Sequence, residues 1–244
     1  MNDYPNAIMY YSRKNEIKNF CVEIFILPFV LIGDFWGIIK QHINKYNKSN
    51  IDSDSLMVLG TGPSLSKTMT KLKHCLNKYK YMAVNNFPLS EHFFIIRPSY
   101  LCLIDSMYWR NINELELSVS KNVKKVYKIL KDVDWEMTLF VPVEAKDNLI
   151  KRIKNRNITV EYIRCPRYDF ESVTVASWSL SLGVLPPRVN VVITAIYLSV
   201  ILGYKNIKVV GVDMNRIKDL EVDQESNATG IRVDYFYNDK DKPF

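Results

Sequence analysis

Gly60, Thr61, Gly62 and Ser64 lie in the run Leu56–Leu65, LMVLGTGPSL, at a spacing that can receive an anion. Glycine lets backbone N–H groups come close to a ligand, and a helix start adds unpaired donors and a positive dipole end. A nucleotide phosphate is the simplest guest. The same residues also make an ordinary tight turn in an α/β protein, and both readings stand open. The run is not a Walker loop, because no Gly-Lys-Ser/Thr follows, and the third glycine of the dinucleotide fingerprint is missing.

Further places carry polar groups suited to the base, sugar or phosphate of a nucleotide. Asn85 and Asn86 follow KYMAV and offer paired donors and acceptors for a base or sugar, or else form an Asx turn. Asp105 ends LCLID, where a carboxylate can hold ribose hydroxyls, act as a base or cap the next helix. Pro186-Pro187 is read as opening a helix that carries Arg188 and Asn190 in its first turn. A guanidinium there suits a phosphate or carboxylate ligand, or a structural salt bridge. Gly211 and Asp213 close the following IKVVGVD strand.

The elements that must position these residues alternate from Leu56 onward. Short apolar runs predict strands at Leu56–Leu59, Lys80–Val84, Tyr100–Ile104, Thr138–Val141, Thr159–Ile163 and Ile207–Val210. Helices are predicted at Ser64–Asn77, Ser106–Val119, Lys121–Lys131, Val143–Lys154 and Arg188–Leu202, the last so apolar that it should be central and buried. Ser64 stands as the N-cap of the first. This alternation argues an α/β fold: one domain with a mostly parallel sheet and helices on both faces. Ligands of such sheets bind at the carboxyl ends of the strands. Gly60–Ser64, Asn85–Asn86, Asp105–Ser106 and Gly211–Asn215 all fall at such ends, so they should share one edge.

The chain divides into residues 1–50 and a domain over 51–244, which the resemblance described next implies to be nucleotide-sugar-binding. The first part contains FCVEIFILPFVLIGDFWGII, Phe20 to Ile39, apolar for about the length of a bilayer crossing but interrupted by Glu23, Pro28, Gly33 and Asp34. It is read as an amphipathic, hydrophobic helical segment lying in a membrane interface, lysines toward the headgroups. The competing reading packs it on the core or in a homo-oligomer interface. Net charge is +7, with lysine and arginine spread along the chain and no nucleic-acid signature. Nucleic acid is therefore set aside in favour of an anionic substrate or membrane surface. Cys21, Cys75, Cys102 and Cys165 form no ligand-spaced set with the three histidines, and they read as free thiols of a cytoplasmic protein.

The glycine turn, the strand-end asparagines and the block Arg188-x-Asn190 through Leu202-Gly203-Tyr204-Lys205 to Gly211-x-Asp213 together resemble the bacterial lipooligosaccharide sialyltransferases, glycosyltransferase family 42, and their O-antigen and capsule relatives. The similarity runs from Leu56 to Tyr237. It implies a single Rossmann-like domain that moves an acidic sugar from a CMP-activated donor to a lipopolysaccharide, O-antigen or capsule glycan, with no obligatory metal. Such an enzyme would sit at the inner face of the cytoplasmic membrane. Gly60, Gly62 and Ser64 would surround the CMP phosphate and ribose, and Asn85 would lie near the nucleotide. Arg188 and Asn190 would approach the donor sugar, with Gly211 and Asp213 beneath the cytosine and ribose.

Three positions depart from that pattern. Thr61 replaces the asparagine between the glycines, and Asn190 and Val191 stand where a serine meets the sugar carboxylate. The family's catalytic histidine has no counterpart, and Asp234-Tyr235-Phe236-Tyr237 stands in its region. The reaction then needs another base, from Asp213, Asp219 or Asp223, while Tyr235 and Tyr237 could stabilise the leaving phosphate. A second reading is a hydroxymethylpterin diphosphokinase-like or flagellin-glycosylation-related enzyme. The pterin chemistry would use ATP and magnesium, with Asp105 and Asp213 as the acidic pair. A third is an inactive scaffold.

Overall fold

The computed structural model describes residues 16–28, 54–72, 76–115, 117–145, 153–163, 165, 171–181, 185, 190–213, 220–222 and 229–231. Six strands form an all-parallel sheet: β1 (Ser55–Leu59), β2 (Lys80–Val84), β3 (Tyr100–Cys102), β4 (Met137–Pro142), β5 (Ile158–Ile163) and β6 (Asn206–Val210), in the order β5-β4-β3-β2-β1-β6. A separate antiparallel pair joins β7 (Leu220–Val222) to β8 (Thr229–Ile231). The protein is thus an α/β protein, and all six predicted strands are present in it.

The strands read as continuous apolar runs because both sheet faces are covered. Successive side chains alternate between the faces. Met57 and Leu59 of β1 join one core with Tyr81, Ala83, Leu101 and Leu139, and Leu56 and Val58 join the other with Met82, Val84, Cys102 and Phe140. The first core is roofed by α2 (Ser64–Leu72), α3 (His92–Ile96) and α4 (Leu117–Lys131). α4 buries Val123, Val126, Tyr127 and Leu130 on one stripe and leaves its lysines outside. The second core is roofed by α6 (Val191–Ile201), through Ala195 and Leu198.

Several predicted helices differ. Ser106–Val119 is not one helix: single 3-10 turns at Ser106–Tyr108 and Ile112–Glu114 precede α4, which begins at Leu117. Tyr108 and Trp109 are buried in the first turn, and the Tyr127 hydroxyl donates to the Tyr108 carbonyl. Tertiary burial of those rings thus outweighs helical spacing. At Val143 only the 3-10 turn Val143–Ala145 is described, and residues 153–155 are not helical. α6 starts at Val191 rather than Arg188, with Asn190 as its N-cap. Nor is α6 wholly buried, since Ile193 and Val200 are exposed. It ends as predicted at Gly203, whose φ of 90° supplies the left-handed residue of a helix C-terminus.

The N-terminal segment contributes α1, residues 16–28. Among the described residues no helix is long and apolar enough to cross a membrane. α1 docks on the start of α5 (Val173–Ser181), a helix that the sequence reading missed. Buried Glu23 accepts the Glu171 and Ser172 amides at 2.8 and 3.0 Å. Glu16 accepts the Ser172 hydroxyl at 2.8 Å and the Val173 amide at 3.1 Å. These bonds, the Ser172 hydroxyl foremost, hold the Glu16 carboxyl below its ordinary value. Two carboxylates thus cap the positive end of one helix.

The join between β1 and β6 is tight. A Cβ on Gly60 would stand 2.2 Å from the Gly211 carbonyl oxygen, so alanine there forces the two loops apart. Gly60→Ala is expected to lower stability by about 1–3 kcal/mol, the range of an overpacked interior, read as a drop in the urea midpoint with little change in slope.

Candidate functional site

Because the sheet is parallel and β3, β2, β1 and β6 are consecutive neighbours, their carboxyl ends meet on one edge. Asp105, Asn85–Asn86, Gly60–Ser64 and Gly211–Asp213 follow those four strands in that order. The chain reverses its direction of travel across the sheet at β1, which leaves β6 on the far side. That switch is the usual place for a ligand crevice.

Here the crevice between β1 and β6 is filled by the protein itself. The Gly60 amide donates to the Val210 carbonyl at 2.9 Å, and the Gly62 amide to the Gly211 carbonyl at 2.8 Å. The Ser64 amide, in the first turn of α2, donates to Asp213 Oδ2 at 2.8 Å. The helix start that was expected to grip a phosphate grips a carboxylate of its own chain. Ser64 is consequently not the N-cap: α2 already includes it, and Asp213 supplies the capping oxygen from across the loops. A Cβ on Gly62 would lie 2.3 Å from that same Oδ2. Gly211 has φ +69° and packs against Leu65. The glycines therefore let two loops interlock.

A different group of polar atoms lies at the ends of β2 and β3. Asn85 has φ 48°, in the left-handed region that asparagine tolerates better than most residues. Its backbone N–H still extends the β2–β3 pairing by donating to the Cys102 carbonyl. Its side-chain amide donates to Asp105 Oδ2 at 2.7 Å. Its own Oδ1 is buried with no hydrogen-bond partner. Leaving such an oxygen unpaired costs about 1–3 kcal/mol, so it needs an explanation. Neighbouring Asn86 accepts the Tyr108 hydroxyl at 2.8 Å. Tyr108 escaped the sequence reading, because a buried tyrosine in a turn has no local signature.

Asp105 stands just before the 3-10 turn Ser106–Tyr108 but its side chain does not cap that turn. The carboxylate is committed to Asn85 instead. Although the residue is exposed, loss of hydration pushes its carboxyl above the ordinary 3.8, and the Asn85 amide pulls part of the way back. Behind it, burial pushes the Cys102 thiol well up, with Cys165 and Asp105 adding to the effect. Cys102 is thus a neutral core thiol and no nucleophile. Cys21, Cys102 and Cys165 form no disulfide, and Cys75 lies outside the described residues.

Asn190 does a helix's work, its Oδ1 accepting the Val192 amide at 2.8 Å. Thr61 lies half-buried between the two interlocked glycines. Arg188, Asp219, Asp223, Tyr235 and Tyr237 fall outside the described residues. Among the described residues, no three His, Cys, Asp or Glu side chains gather as metal ligands would. No family model matches the chain, and no curated protein matches it.

Two outcomes follow from this geometry. Asp213→Ala removes the α2 cap and should cost about 1 kcal/mol, with Asp213→Asn milder because its amide oxygen can still accept the Ser64 N–H; paired thermal melts separate them. Asp105 has the opposite sign. Its folded pKa is raised, so its contribution to stability is full below pH 3.8 and is lost as pH rises through the raised value. Asp105→Asn keeps an acceptor for Asn85 without the charge. Its melting temperature at pH 7 should therefore equal or exceed that of the wild type.

Proposed function

We propose that the rim formed by the ends of β3, β2 and β1 binds a cytidine-activated acidic sugar, and that the chain is a glycosyltransferase acting on a lipid-linked or lipopolysaccharide glycan. The observation that carries this reading is the buried, unpartnered Oδ1 of Asn85, held beside Asp105. Both groups are acceptors, so they call for a ligand that presents donors. A nucleoside does so twice, through its ribose hydroxyls and, in cytosine, through an exocyclic amine. Uracil presents a carbonyl at that position, which would face Asn85 Oδ1 acceptor to acceptor. A site built to pair a polar group discriminates strongly against a ligand that lacks the complement.

The resemblance in the glycine turn, the strand-end asparagines and the Arg188 to Asp213 block supports the same chemistry. In this reading Arg188 anchors the sugar carboxylate and Tyr235 and Tyr237 ease the departure of CMP. Transfer requires the acceptor hydroxyl to lose its proton as the phosphate leaves. Asp213 is on the same edge and spends one oxygen on Ser64, with Oδ1 left to take that proton. The phosphate does not rest on the Gly60 and Gly62 amides, whose hydrogens already point at Val210 and Gly211. It is placed toward the β2 side, away from the Asp213 charge.

Thermal shift with nucleotides tests the reading. CMP should raise the melting temperature, by an amount corresponding to about 2.7 kcal/mol at a hundredfold excess over Kd, and UMP should do so far less. Asn85→Gly suits the φ of 48° while deleting the amide, so it should keep the fold and lose the CMP response. Stabilisation by ATP with magnesium but not by CMP would replace this reading with the diphosphokinase one. No response to any nucleotide would leave a scaffold.

A further inference from the structure

We infer that the outward half of α1 docks the protein on an anionic lipid bilayer. The helix sorts its side chains by exposure. At about 3.6 residues per turn, Ile17, Lys18, Cys21, Val22, Ile24 and Phe25 fall on one half, and all are exposed. Phe25 keeps 74% of its surface, Ile17 64% and Val22 50%. The opposite half holds both acids, Glu16 and Glu23, bound to the amides and hydroxyl at the start of α5. The outward half therefore bears one cation, Lys18, and no anion.

The inner half buries Leu27 as an ordinary surface helix does, but such a helix turns its charges to water, and here the outer half is apolar as well. Exposed apolar residues scattered singly need no account. A set collected on one half of a helix, with the acids drawn to the other, has the form of an interfacial helix. Ring contact continues the feature: Phe20 meets Trp178 of α5 edge-on at 5.8 Å, and Trp178 and Val173 are themselves exposed.

Charge selects lipid over a second copy of the chain. At +7 two copies repel, whereas an anionic leaflet attracts. Lys18 can lay its stem along the apolar half and its ammonium among phosphates. The surface stands on α1 itself and does not rest on the nucleotide reading.

The test is sedimentation of the full chain with vesicles of phosphatidylcholine alone or with phosphatidylglycerol added. Wild type should pellet with the anionic vesicles and stay in solution with the neutral ones. Phe25→Glu should cut partitioning by on the order of tenfold or more, as expected when one embedded aromatic side chain is lost. Val200→Glu, an equal charge change at an exposed apolar residue of α6, should leave partitioning almost intact. An unchanged urea midpoint shows that each variant is folded. Wild type that ignores anionic vesicles would overturn the proposal, as would equal losses in the two variants. A dimer in light scattering that Phe25→Glu splits would assign the surface to self-association instead.

Discussion

The closure of the β1 loop on the β6 loop is the contact on which the rest of this protein depends. It consists of two amide-to-carbonyl bonds and one amide-to-carboxylate bond, from Gly60, Gly62 and Ser64 to Val210, Gly211 and Asp213. A side chain on Gly60 would run into the Gly211 carbonyl oxygen and one on Gly62 into Asp213 Oδ2, so two of the three partner oxygens would have to move. The loops lie far apart in sequence, so the contact fixes the register of β6 on β1 and the position of α2 together. It also fixes the sign of the local charge. The positive end of α2, which elsewhere in α/β proteins attracts a phosphate, is answered here by Asp213.

That substitution of carboxylate for ligand shifts the chemically open part of the edge by one strand pair. Between β1 and β6 every donor just named is used. Between β2 and β3 an amide oxygen is buried without a donor, and a carboxylate has its pKa raised. Both are costs to the folded chain, and perturbed groups of this kind gather at functional sites. Complementarity is therefore what favours a nucleoside at this place. Two acceptors fixed against each other leave only donor-bearing ligands as good partners.

The sheet was legible because parallel strands covered on both faces are plain apolar runs, and six of them stood between recognisable turns. The common edge followed from topology, since alternating strands and helices leave all strand ends on one side. The use made of each residue was harder to read. Glycine has the same letter whether it admits a phosphate or a neighbouring carbonyl, and only the 2.2 Å approach to Gly211 tells them apart. Of the roles open to Asp105 and Asp213, capping went to the one that local sequence did not suggest. Asp105, next to a turn, caps nothing, and Asp213, about 150 residues from α2, caps its helix, a pairing of |i−j| 149 invisible to any local pattern. Tyr108 was hidden for the same reason: its partners Asn86 and Tyr127 come from other elements.

The N-terminal helix carries the same lesson in charge. Glu23 looked like an interruption in an apolar stretch, a cost to any membrane contact. In the fold it is among the most buried polar residues, held by two amides at the start of α5. The donors at that helix start would otherwise need water or another partner. Binding them to Glu16 and Glu23 satisfies α5 and at the same time clears the outer half of α1 of negative charge. An acid that argues against an interfacial helix in one dimension is, once its direction is known, compatible with the lipid contact proposed above.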